Sequence, residues 1–206
     1  MKRIFFFLAI LTILSCKKVD ENNNDVQAHE NTFDNEEDQN NISEEEDDTV
    51  VVDEFIETEI RQITGIALKE EAYDEPIILG NPNVKSYQVT ATPNPVNDFV
   101  SIRSVFIGNY PQISDVWVIK AELKKVSQDI DFEKELEDTN FEIKNLDAIA
   151  ELKISDLNKD KVLIDLTDFD PGYYKVFALM DGEQYWDNIF IQDGNTSIND
   201  LESFWK

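Results

Sequence analysis

From Tyr87 to Ile191 apolar and polar residues alternate in short runs divided by turn residues, the period of two that a sheet with one buried face imposes. These runs predict strands at Tyr87–Thr92, Phe99–Phe106, Val116–Lys124, Phe141–Lys144, Leu152–Ser155, Val162–Leu166, Tyr173–Met180 and Tyr185–Ile191. Alternation assigns to the interior Val100 and Ile102, then Trp117, Ile119, Ala121 and Leu123, then Val162, Ile164 and Leu166. Tyr173–Met180 is apolar on both faces, which predicts a central strand. Turns are expected at Pro93-Asn94-Pro95, Asn158-Lys159-Asp160, Asp170-Pro171-Gly172 and Asp181-Gly182-Glu183, the last with Gly where a tight hairpin needs positive φ. Seven or eight strands at this spacing predict an all-β fold, an antiparallel immunoglobulin-like β-sandwich over residues 86–192.

The flanks are less regular. In 56–85, Ile56, Ile60, Ile63 and Ala67 fit a helical face, while Ile56, Thr58 and Ile60 also fit strand alternation. Gly65 and the β-branched content favour an extended lead-in. Ser127–Asp138 reads as a polar, acidic insertion with room for one helical turn. In the tail, 193–206, Ser197 is a candidate N-cap with Asp200 three residues on, and Ile198, Leu201 and Trp205 fall near one helical face. Phe204 and Trp205 are expected to dock on their own domain.

Lys2 and Arg3 precede an apolar run, Ile4 to Leu14, broken only by Thr12. Such a run is too short to cross a bilayer, which takes about 20 residues, and reads as the core of a signal peptide over 1–15. Ser15 then leads into Cys16, the only cysteine of the chain. The stretch resembles a bacterial lipoprotein signal, which implies acylation of Cys16 and a lipid anchor in the outer membrane, on its periplasmic side or at the cell surface. Between Val19 and Ile60 there are 17 acidic residues and no Lys or Arg. A segment of that composition buries too little apolar surface to offset its backbone entropy, so 16–55 is expected to be a disordered acidic tether. The run Glu44 to Asp48 lacks the fixed oxygen cage of a calcium site. Asp48-Thr49-Val50 resembles an O-glycosylation site of Bacteroidota.

Charge and residue inventory narrow the chemistry. The 206 residues carry 44 Asp and Glu against 18 Lys and Arg, a formal charge of -26, which excludes nucleic acid as a partner because phosphate affinity rests on clustered Lys and Arg. One cysteine and one histidine, His29 in the tether, exclude a disulfide framework, a Cys/His zinc site and a His-dependent triad. Phosphate-cradling and nucleophile-elbow motifs are absent from the sequence, and no cofactor is implied. Asp156, Asn158 and Asp160 alternate like calcium ligands, but Lys161 stands where Gly is needed, so a hairpin turn is the expectation. Asp165 and Asp168 resemble a glycosidase carboxylate pair yet sit in a turn, and Tyr174, Tyr185 and Trp186 are expected in the core rather than in a sugar-stacking platform.

Two stretches carry a resemblance. Tyr87 to Ile102, with Pro-Asn-Pro between two strands, and Ile164 to Val176, followed by a Gly-containing hairpin and Ile189-Phe-Ile191, resemble the C-terminal sorting domain of the Bacteroidota type IX secretion system. The resemblance covers roughly 86–192 and implies an immunoglobulin-like sandwich and an export role with the type IX machinery as partner. With the lipid anchor that the lipoprotein-signal resemblance implies, the residue inventory leads to the expectation of a non-enzymatic, lipid-anchored envelope protein whose sandwich binds or assembles with an envelope protein or glycan.

Overall fold

The computed structural model describes residues 50–85, 88–105, 111–125 and 139–206. Cys16, His29 and the 127–138 insertion lie outside them. The fold is all-β and its body is a sandwich of seven antiparallel strands. One sheet holds β4 (Val89–Thr92), β5 (Phe99–Ser104) and β9 (Lys161–Asp165), in that order. The other runs β11 (Glu183–Ile191), β10 (Gly172–Met180), β6 (Ile113–Lys120), β8 (Leu152–Ile154). Four strands over three, with the chain crossing between sheets after β5, β8 and β9, is an immunoglobulin-like arrangement. Strand β10 is flanked by β11 and β6, the central position its two apolar faces predict. Its hairpin to β11 turns through Asp181 (φ 53°) and Gly182 (φ 85°), the two left-handed residues a tight two-residue loop demands.

The core between the sheets contains Val100, Ile102, Val162, Ile164 and Leu166 as expected, facing Val116, Val118, Tyr174, Val176 and Ile189. Strand β6 departs from the expectation. Val116 and Val118 face the sandwich core, whereas Trp117 and Ile119 point to the opposite face, into a second core with Ile60, Leu146, Phe177 and Trp186. Ala121 lies past the end of β6, and Leu123, in the short strand β7 (Glu122–Leu123), is exposed. The sandwich thus buries both faces of its larger sheet.

Two helices cover that outer face, each where strand or extended chain was expected. Residues 56–85 open not as extended chain but as α1 (Glu54–Arg61). Asp53 accepts the Phe55 N–H, Glu54 and Glu57 sit in the first turn and Arg61 in the last, matching the helix dipole, while Ile56 and Ile60 share the packed face. The predicted strand Phe141–Lys144 is instead a loop entering α2 (Ile143–Ile149), where Leu146 and Ile149, three apart, pack on Trp117's side of the sheet.

The rest of the lead-in is extended. β1 (Gln62–Ile63) pairs in parallel with β7, and β2 (Gly65–Leu68) forms an antiparallel hairpin with β3 (Ile77–Gly80). The tail forms α3 (Ile198–Trp205), and Ser197 and Asp200 close a reciprocal capping box at its start. Leu201 and Trp205 dock on Ile66, Leu68, Leu79, Tyr173 and Phe190, forming a third apolar cluster. Gly80 (φ 69°) is required there, because a Cβ would lie 2.6 Å from the Trp205 ring. The described residues from Val50 to Lys206 fall in one compact unit, so hairpin, sandwich and tail are one body. No helix among the described residues is long and apolar enough to cross a membrane.

Candidate functional site

Strands β4 and β11 are the edges of the two sheets on one side of the sandwich, and edge strands leave backbone groups to be satisfied. Here side chains do it. Asn94, between Pro93 and Pro95 (both in cis linkage), donates from Nδ2 to the carbonyls of Ala67 (2.8 Å) and Asn188 (2.9 Å), and its Oδ1 accepts the Phe190 N–H at 3.0 Å. Its own backbone exchanges two 2.8 Å hydrogen bonds with Lys69. One buried asparagine, through its side-chain amide and its backbone together, therefore fixes β2, β11 and the Lys69 backbone relative to one another. Asn188 donates in turn to the Gly65 carbonyl at 3.0 Å and to Asn83.

This scaffold frames a recess of about 330 Å³ between the β2–β3 hairpin and β4. Its walls are aliphatic, formed by Ala67, Ile78, Pro82, Val84, Val89 and Val105. Four polar residues line it as well: Lys69, Asn81, Thr90 and Asp187. Asp187 is 5% exposed. Its Oδ2 accepts the N–H of Ala91 at 2.9 Å and lies 3.8 Å from Lys69 Nζ, and its Oδ1 accepts the N–H of Asn188 at 2.9 Å. Burial pushes its carboxyl pKa up, opposed by the Lys69 charge and the two N–H groups. Thr90 is buried, and its hydroxyl has no hydrogen-bond partner among the described residues. The recess can grip a small ligand by its apolar body while the Lys69–Asp187 pair donates to and accepts from its head.

The residues singled out from sequence do not meet there. Tyr174 is in the sandwich core, donates to the Asp170 carbonyl at 2.9 Å, and burial pushes its pKa up to about 12. Tyr185 packs half-buried against the same core, while Trp186, fully buried on the other face, donates to the Asn83 carbonyl at 2.6 Å. No shared aromatic platform results. Asp165 accepts both the N–H and the hydroxyl of Thr167, which hold its pKa low and tie it into the turn, and Asp168 is exposed in that turn. The Asp156–Asp160 segment is not a hairpin. It carries the chain from one sheet to the other, with the Lys159 carbonyl accepting from Ile113 N and the Asp160 carbonyl from Ser104 N. Among the described residues no three metal-ligating side chains converge.

Sequence reading did not find Lys69, Thr90 and Asp187, which come from three distant segments. The single local signal was Asp187, a carboxylate at an inward position of a strand whose neighbours at that face, Tyr185 and Ile189, are apolar. Fold and recess define a β-sandwich domain with a small-ligand-sized site at its edge. No protein-family model matches the chain, and the search of curated proteins found no match.

Proposed function

We propose that this chain is a lipid-anchored protein of the bacterial outer membrane that presents its sandwich for binding, without catalysis. The recess carries the reading: an aliphatic pocket with a buried carboxylate facing a partly buried lysine is built at the meeting of three segments by dedicated amide hydrogen bonds, where stability alone would favour apolar filling. The anchor rests on the apolar run Ile4 to Leu14 and on Cys16, with the acidic tether holding the domain off the membrane by self-repulsion. Expressed in a Bacteroidota host, the wild-type chain is expected to stay in carbonate-washed membranes and to take up labelled palmitate. Cys16→Ser is expected to abolish both, and a variant that remains in the washed membrane overturns the anchor.

A second reading, an export domain recognised by type IX secretion machinery, is favoured by one observation. The two stretches that resemble the sorting domain are bonded to each other, with Val96 N on the Phe190 carbonyl, Gln192 N on the Val96 carbonyl and Asn94 clamped to β11. That reading requires the sandwich to carry a fused passenger across the outer membrane and to be cleaved from it.

A further inference from the structure

We infer that the recess selects a small ligand with an uncharged head that donates and accepts at once, a carboxamide on a short branched apolar body; the inference rests on reading the domain as a binding module. The charge pair sets the head group. Lys69 Nζ and Asp187 Oδ2, 3.8 Å apart, attract but do not hydrogen-bond, so the ammonium keeps donors and the carboxylate keeps acceptor capacity for a third party. A carboxylate ligand would set a second anion beside Asp187, whose ionised form burial already disfavours, within a domain that has 27 acidic against 14 basic residues from Arg61 onward. An ammonium ligand would meet Lys69. An amide adds no charge, and its oxygen and nitrogen lie about 2.3 Å apart on one edge, as its bond lengths dictate. The carbonyl can face Lys69 while the N–H faces Asp187, as in the paired contacts of planar forks. Thr90, 2% exposed and without a hydroxyl partner, lines the same recess. The body is set by the walls: a volume of about 330 Å³ bounded by Ala67, Ile78, Val84 and Val89 suits branched aliphatic groups and stands at the small end of ligand sites.

Three probes of one shape separate head group from body: isobutyramide, isobutyrate and isobutylamine, each titrated into the full chain and followed by amide NMR shifts. Isobutyramide is expected to shift Lys69, Thr90, Ala91 and Asp187 and to bind about tenfold more tightly than either charged probe. Ile78→Trp, placed at a half-exposed wall position, is expected to fill the recess and abolish those shifts. Lys69→Met keeps the stem and removes the charge, and is expected to invert the order so that isobutylamine binds best. Equal binding of the three probes, or preference for a charged one by the wild type, overturns the amide inference and leaves the recess as a binding site. If none of the three shifts these residues, the binding-module reading falls with it.

Discussion

Lys175 lies 1% exposed on the outer face of β10, beside the rings of Phe177 and Trp186, with Nζ 5.8 and 5.4 Å from their centroids. No carboxylate pairs with it among the described residues. Its ammonium donates to the Gln62 carbonyl at 2.9 Å, and that carbonyl also accepts Asn83 Nδ2 at 2.8 Å. Burial lowers the pKa from 10.5 to about 7. Below pH 7 folded and unfolded chains both hold the proton, and folding carries the full cost of burying the charge. Between about 7 and 10.5 the unfolded chain binds more protons, so stability rises with pH through this window. Lys175→Met leaves the Gln62 carbonyl with its Asn83 donor and removes the titrating group. The variant is expected to be at least as stable as the wild type at about pH 6, and the difference should narrow or reverse by about pH 9. Urea midpoints of the two chains that differ equally at both pH values would show that this lysine does not titrate there.

Strand β6 shows what alternation conveys and what it hides. In β5 and β9 every second residue is polar or exposed, and the interior residues Val100, Ile102, Val162 and Ile164 are legible in the sequence. In β6 four successive residues, Val116 to Ile119, are all fully buried because helices pack where solvent was expected. A continuous apolar run has no phase, so the larger side chain Trp117 was assigned to the wrong face. The covering helices were themselves obscured: Phe141-Glu-Ile-Lys mimics a strand, although Leu146 and Ile149 already hold helical spacing, and Ile56 and Ile60 fit both templates. Truncating Trp117, whose Nε1 donates to Asp147 at 2.7 Å beneath α2, is expected to cost about 3–5 kcal/mol. Val118→Ala, in the other core, is expected to cost about 1.5–3 kcal/mol, whereas Lys120→Ala, half-exposed in a 3.5 Å ion pair with Asp170, should cost well under 1 kcal/mol. A Val118→Ala variant as stable as Lys120→Ala in urea denaturation would contradict burial of both faces.

At the scale of the whole molecule the recess depends on parts far apart in sequence, which is why it was invisible from any one motif. Its outer wall is the β2–β3 hairpin, and two strands alone are marginal in water. What holds the hairpin is a sandwich edge on one side, through Asn94 and Asn188, and α3 on the other, through Leu201 and Trp205. Trp205 meets Tyr173 edge-on at 6.2 Å and rests against Gly80, a residue that also lines the recess. The sandwich has a core of its own between the sheets, distinct from this cluster. Deleting residues 194–206 should therefore separate the two. Amide hydrogen exchange at Ile66–Leu68 and Ile77–Gly80 is expected to lose protection, because the hairpin's open states become accessible, while β6 and β10 keep most of theirs. Isobutyramide should then bind more weakly, since the truncated chain must order the wall before the ligand can use it. Unchanged exchange in the hairpin would mean that the amide clamps alone hold it. Equal loss across β6 and β10 would mean that the tail is part of the sandwich's folding unit and not a brace for its edge.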